Sequence, residues 1–275
     1  MRAEQGFSLL KHIILTFAAV SIIAPISMVV FATFKNTPEL FNSPLGLPKS
    51  WDFANYTSLF AAENMLVYFI NSLVVTSISV FAILVLGSMV AYSITRLPRP
   101  FGSLLFAFFT LGMMVPVQVN MIPTYLEMAH LNLLDSHFGL ILVTVATLLP
   151  ICIFILTAFM KTIPNELIEA ADMDGASHWQ IYCKIVLPLS VPSIITAAIF
   201  CIVITWNDLL YPLLFLKTPG LKTLPVALLQ FQGEYLTNYP LIFAGVIVAS
   251  VPMILLYILL QHYFIAGTTA GSIKG

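Results

Sequence analysis

Residues 164–188 read PNELIEAADMDGASHWQIYCKIVLP. The chain around them is 60% hydrophobic and 8% charged, yet Glu166, Glu169, Asp172 and Asp174, four of its 12 acids, fall within this one stretch. Pro164 suits the first turn of a helix, where its missing N–H costs nothing. Beyond it, Leu167, Ile168, Ala170 and Ala171 form one face, and Glu166, Glu169 and Asp172 form another. Asp174-Gly175 is a turn signal, and Gly175 can supply a positive φ that other residues resist. Ser177 and Gln180 are spaced as a capping box that opens a second short helix. On that helix Trp179, Tyr182, Ile185 and Val186 recur at helical spacing, and Pro188 marks the return to apolar sequence. The stretch predicts a polar helix–turn–helix outside a bilayer, which decides how the rest of the chain is arranged.

The flanking sequence has no soluble character. Soluble chains carry about 25% charged residues, three times the share here. The net charge of −1 gives no electrostatic case for nucleic acid. Cys152, Cys183 and Cys201 have no metal-ligand spacing and read as small buried hydrophobes. Six runs are long enough to span a bilayer, which takes about 20 apolar residues: approximately 12–34, 66–95, 101–123, 138–160, 189–213 and 241–264. The first is too long for a cleavable signal h-region and reads as a retained membrane helix. Each run should be helical, because the hydrocarbon core offers no water to unpaired backbone groups. Pro25, Pro116, Pro150, Pro192 and Pro252 interrupt these runs and read as kinks rather than ends. The expectation is an all-α membrane protein: one transmembrane domain over 1–275, with core helices in 66–264 and a polar loop at 161–188.

Lys and Arg set the orientation. Arg2, Lys11, Arg96, Arg99, Lys161, Lys184 and Lys274 share one set of loops, and Lys35, Lys49, Lys217 and Lys222 share the other. The richer side should be cytoplasmic. It holds both termini and the acidic loop, while loops 35–65, 124–137 and 214–240 face outward. An amphipathic helix resting on cytoplasmic headgroups would favour Lys and Arg on its polar face. This one is acidic, so a protein partner with basic residues matches it better. Ala170, Ala171 and Gly175 are small enough to let such a partner approach closely.

The spacing E-A-A, three residues, G, nine residues, I, one residue, L-P resembles the signature loop of ABC importer permeases. It is carried here by Glu169, Ala170, Ala171, Gly175, Ile185, Leu187 and Pro188. The stretches VPVQVNMIPTY (115–125), TWNDLLYPLLFL (205–216), TLPVALLQF (223–231) and GTTAGSIKG (267–275) are similar to the carbohydrate-uptake branch, in particular the smaller, six-helix permease of the maltose type. The likeness runs from about residue 66 to the end; residues 12–65 fit only in character. The tail departs at Thr268-Thr269, where Leu-Thr is common.

The resemblance implies a type I importer permease in the bacterial inner membrane. Its loop, with Asp174 among the docking residues, would form coupling helices that seat on an ATP-binding subunit. It further implies a second permease subunit, two ATPase copies carrying ATP and Mg, and an extracytoplasmic sugar-binding protein. This chain itself would hold no cofactor or metal and would not be an enzyme. That agrees with its lack of a G-x-x-x-x-G-K-[ST] phosphate loop. Gln118, Asn120, Trp206, Asn207, Asp208 and Tyr211 are the candidates for the substrate pathway. Ionisable groups near membrane depth are expensive and often functional, though Asp208 could equally be a structural anchor. Family precedent puts Gln232, Gly233, Glu234 and Tyr235 in a loop that reaches into the binding protein, and Ser272, Lys274 and Gly275 in a tail that contacts the ATPase pair. The alternatives are a glycerol-phosphate or other polyol importer, or an ion-coupled secondary transporter. The last would need ionisable groups at the midplane, and the centres of all six runs lack Asp, Glu, Lys and Arg.

Overall fold

The computed structural model describes residues 2–62, 64–231 and 238–270. The described chain is helical, with no strand among these residues. In order the helices are α1 (Arg2–Ala32), α2 (Thr37–Asn42), α3 (Ala54–Ala62), α4 (Met65–Arg96), α5 (Arg99–Gly112), α6 (Val117–His130), α7 (His137–Met160), α8 (Asn165–Met173), α9 (His178–Ile181), α10 (Leu187–Leu189), α11 (Val191–Trp206), α12 (Leu210–Phe215), α13 (Leu224–Leu228) and α14 (Tyr239–Ala270). A π-helical turn, Tyr182–Val186, joins α9 to α10.

Four of these helices are long and apolar enough to cross a bilayer, over Lys11–Ala32, Met65–Arg96, His137–Met160 and Tyr239–Gln261. The third and fifth apolar runs are not straight spans. Arg99–Gly112 and Val117–His130 meet at 92°, and His178–Leu189 and Val191–Trp206 meet at 74°. Counted as one span each, these bent pairs bring the total to six.

Proline lies at both breaks, and two of the expected kinks are corrected there. Pro25, Pro150 and Pro252 do lie inside helices. Pro116 instead caps the start of α6, and Pro192 sits in the first turn of α11. A proline tolerated at a helix start removes no intrahelical bond there, and it disfavours helical backbone in the residue before it. At Pro116 the chain therefore stops and turns; at the second break the turn falls at Ser190, two residues before Pro192.

The chain divides into two compact units, one of Met1–Leu66 with Ala227–Val251 and one of Val67–Val226 with Pro252–Gly275. The second holds the acidic loop and its own core. Ile83, Ala91, Leu148, Cys152, Leu156, Met160, Ala197 and Cys201 pack there with Ile163, Ile168, Ile181 and Val186. The core of the membrane helices and the core of the loop are thus one body of side chains. Phe106 of α5 stacks on Phe154 of α7 at 6.0 Å, and the Lys161 ammonium lies 4.9 Å from the Phe106 ring. Near the other end, Asp135 takes a positive φ of 54° and ties the α6–α7 connection to the segment after α12. It accepts from the N–H groups of Lys217 (2.8 Å) and Thr218 (2.9 Å) and from the Thr218 hydroxyl.

In the first unit, Lys35 departs from its expected place as an outward loop charge. It is 1% exposed, the largest side chain among the fully buried ones there.

Candidate functional site

The acidic loop folds as a helix, a glycine turn and a second helix. Pro164 caps α8 one place earlier than expected. The helix ends in a Schellman motif: Gly175 N–H donates to Asp172 O and Ala176 N–H donates to Ala171 O, both at 3.0 Å. That motif needs a left-handed residue after the cap, and Gly175 supplies it with φ +77°. The capping box forms as the sequence predicts. Ser177 N–H donates to Gln180 Oε1 at 2.8 Å, and Gln180 N–H donates to Ser177 Oγ at 3.3 Å.

The loop is fastened to α4 by a cluster of rings and hydroxyls. The Tyr182 phenol and the Ser88 hydroxyl lie 2.8 Å apart in a buried hydrogen bond. Tyr92 donates to the His178 carbonyl at 3.3 Å. The Tyr182 ring sits between those of Tyr92 (5.4 Å) and Trp179 (5.3 Å), and the Arg96 guanidinium lies 5.8 Å from the Tyr92 ring. Neither Ser88 nor Tyr92 stood out in the sequence, because nothing local links them to a loop some 90 residues away.

The signature residues separate by exposure. Glu169, Ala170, Asp174, Gly175 and Pro188 are exposed, whereas Ala171, Ile185 and Leu187 pack half-buried against the core. The expected apolar face of α8 is therefore split. Ile168 is buried, but Leu167 and Ala170 lie in the open with the carboxylates. Beside them Met173 is 88% exposed. A groove of about 260 Å³ runs along the turn, lined by Asp174, Gly175, Ala176, Gln180, Ile181, Lys184 and Ile185. This is an open surface of carboxylates, small residues and a few apolar side chains, backed by the buried Ile168, Ile181 and Val186.

A larger cavity of about 680 Å³ opens between α5, α6, α7 and α11. Asn120, Thr124, Thr147 and Tyr211 bring polar atoms to a wall otherwise made of residues such as Val143, Leu148, Ile151 and Phe200. A side chamber of about 210 Å³ shares Thr147 and Tyr211 and adds Thr144, Thr205 and Asp208. The Thr205 hydroxyl is buried there with no hydrogen-bond partner among the described residues. Asp208 Oδ1 accepts from Leu210 N–H at 3.0 Å, so this carboxylate both holds the first residue of α12 and borders the chamber.

Of the other pathway candidates, Trp206 is buried edge-on to Phe69 at 5.6 Å, and Asn207 donates to Val203 O at 2.8 Å. Gln118 is exposed and borders neither cavity. The threonines escaped the sequence reading, although Thr144 and Thr147 stand one turn apart within the apolar run of α7. Gln232, Gly233, Glu234, Tyr235, Ser272, Lys274 and Gly275 lie outside the described residues.

Residues 83–269 match the family model of the binding-protein-dependent transport system inner membrane component. The chain belongs to this family. Among related permeases, that of the multiple sugar-binding transport system of Streptococcus mutans is 33% identical over 268 residues, with 96% of each chain covered. The diacetylchitobiose uptake system permease of Streptomyces coelicolor is 29% identical over 274 residues, covering 99% of this chain and 91% of that one. The fold matches a chain of a bacterial ABC transporter for the acidic polysaccharide alginate, with a TM-score of 0.78 at 24% identity over 96% of this chain and 98% of that one.

The protein is thus a multi-pass inner-membrane permease with the fold of an ABC importer subunit. Transport that depends on a binding protein sets aside the ion-coupled secondary transporter. The family match contains the whole acidic loop, the residues that fasten it to α4, and both cavities.

Proposed function

We propose that this chain is one of two permease subunits of an ATP-driven importer for a sugar or oligosaccharide. An extracytoplasmic binding protein delivers the substrate, and two copies of a separate ATPase bind and hydrolyse ATP with Mg. Both termini and loop 161–188 face the cytoplasm. The observation that carries this reading is the acidic helix–turn–helix, whose back is continuous with the core of the membrane helices and whose front is open. Such an element passes motion from a soluble subunit into the membrane as a rigid-body change between two packed states. Glu169, Ala170, Asp174 and Gly175 meet the ATPase; Ala171, Ile185, Leu187 and Pro188 hold their presentation.

The substrate class rests on relatives whose permeases serve sugars and on a cavity that offers neutral hydroxyl and amide groups. Asn120, Tyr211 and the chamber at Asp208 border the route. A hydroxyl-rich neutral ligand suits such a wall better than a phosphate ester, which calls for Arg or Lys. The rim loop at 232–235 serves the binding protein, and the tail at 272–275 serves the ATPase pair.

The test is reconstitution of the complete transporter in vesicles, with uptake of labelled oligosaccharides and ATP hydrolysis measured together. Binding-protein-dependent uptake is expected, and Gly175→Asp should abolish it while the complex stays in the membrane. Full uptake by that variant would refute the docking role. Uptake that needs no ATP would refute the importer.

A further inference from the structure

The loop between α1 and α4 has an unusual division of polarity. Its large apolar side chains stand in the open: Leu45 is 82% exposed, Leu47 70%, Phe41 65%, Phe53 61% and Trp51 59%. Its backbone is turned the other way. The buried Lys35 ammonium donates to the carbonyls of Ser43 (2.8 Å), Pro44 (3.3 Å) and Gly46 (2.6 Å). Asn55 Nδ2 donates to the carbonyls of Thr33 (2.7 Å) and Lys35 (2.9 Å). Glu39 accepts from Lys49 N–H at 2.7 Å, and Asn36 caps Glu39 N–H at 2.8 Å.

A loop bathed in water gains nothing from this arrangement, since exposed apolar area costs about 25 cal/mol per Å² and carbonyls can bond water. In a bilayer both preferences reverse. Apolar side chains are welcome, and every backbone group needs a partner within the protein. The position fits as well. Trp51 packs on Phe31 (6.0 Å) and Phe34 (5.1 Å), at the end of a span whose most apolar stretch is nowhere buried within the chain. Its indole therefore sits where that span leaves the hydrocarbon, the depth at which tryptophan is enriched. Lys49 and Asp52 are exposed beside it, a polar rim for the headgroup layer.

We propose that residues 41–53 form a membrane-interface anchor, with Leu45, Leu47, Trp51 and Phe53 entering the boundary between lipid headgroups and acyl chains. The Lys35 ammonium gathers the carbonyls inward, which is what lets a non-helical loop enter that layer.

The test uses the complete transporter in lipid nanodiscs. Leu45→Cys carries an environment-sensitive fluorophore, Leu47→Cys serves as a second site should the first fail to assemble, and the labelled parent gives the background from Cys183. The expected result is blue-shifted emission that is lost to nitroxide placed shallowly on lipid chains and spared by an aqueous metal quencher. Emission lost to the aqueous quencher, with no effect of lipid nitroxide, would overturn the proposal. So would a site that becomes shielded only when the binding protein is added, since that would make the surface a protein contact.

Discussion

Tyr182, at the foot of the second loop helix, and Ser88, in the last third of helix α4, share a buried hydrogen bond of 2.8 Å between their hydroxyls. It is shorter than the 3.3 Å bond from Tyr92 to the His178 carbonyl, which also ties the acidic loop to α4. Displacement of the loop must either drag α4 with it or break this bond.

Removing one partner leaves the other hydroxyl buried without a bond, which costs about 1–3 kcal/mol, whereas removing both is nearly neutral. Ser88→Ala and Tyr182→Phe should each lower thermal stability of the complex and weaken the coupling of ATP hydrolysis to uptake. The double variant should recover stability but not coupling. Melting curves and the ratio of sugar moved to ATP consumed read the two effects separately. Additive stability losses would mean that the bond contributes nothing.

Gly175 has φ +77°, and among the described residues no atom beyond its two chain neighbours lies within 4 Å of where a Cβ would stand. The cost of substitution is thus in the backbone and in the partner, not in crowding. Gly175→Asn should fold nearly as well as the parent, because Asn tolerates the left-handed region. Gly175→Val should lose about 1–2 kcal/mol. Hydrogen exchange over residues 170–180 would rank the two; equal protection in Asn and Val variants would contradict the motif.

Gly87 on α4 faces α7 so closely that a Cβ would stand 2.7 Å from Cys152 Sγ. Gly87→Ala should destabilise the complex by about 1–3 kcal/mol through overpacking. Cys152→Ala in the same chain should return part of that loss, since it removes the atom in the way. Thermal melting of the three variants in one detergent decides the matter.

The Thr218 hydroxyl, then the Thr218 N–H, and more weakly the Lys217 N–H and charge hold the Asp135 carboxyl below the usual carboxylate range. A folded value below the unfolded one, about 3.9, means the link is at full strength above that value and fades as pH falls through the folded one. Amide protection at Lys217 and Thr218 should therefore be flat from neutral pH to about 4 and fall below it. Asp135→Asn keeps the tolerance for φ +54° and removes the charge, so its protection should show no such fall. Hydrogen exchange across the acid range checks both.

On the proposed sugar route, Asn120→Leu should raise the KM for uptake about fivefold, the effect of losing roughly 1 kcal/mol of hydrogen bonding. Basal ATP hydrolysis should not change. Transport kinetics with a fixed, saturating binding protein measure this; an unaltered KM would take Asn120 out of the route.

The features legible in the sequence are those fixed by neighbours along the chain. The Ser177–Gln180 capping box spans four residues, and the Gly175 turn requires a backbone that only a few residue types adopt. Both could be read before any fold was known. Pro116 and Pro192 could not be placed, because a proline in an apolar run can sit inside a helix or start one, and distant packing chooses. The threonine chamber was hidden for a related reason. A hydroxyl on a membrane helix can bond its own backbone, as Thr144 does to Leu140 O at 2.8 Å, so threonine alone signals no cavity. Lys35 looked like a solvated charge because its three carbonyl partners come from a loop whose path the sequence does not reveal.

The π turn at Tyr182–Val186 carries one residue more than an α-helical turn would. Each residue of an α-helix advances the direction of its side chain by about 100°. The extra residue therefore works as a phase shift between α9 and α10, across a segment in which Tyr182 and Val186 both stay buried in one core. Losing any single residue from this turn would restore ordinary helical pitch and swing one end of the segment out of alignment with the other. The length of this short stretch is thus held fixed more strictly than its composition.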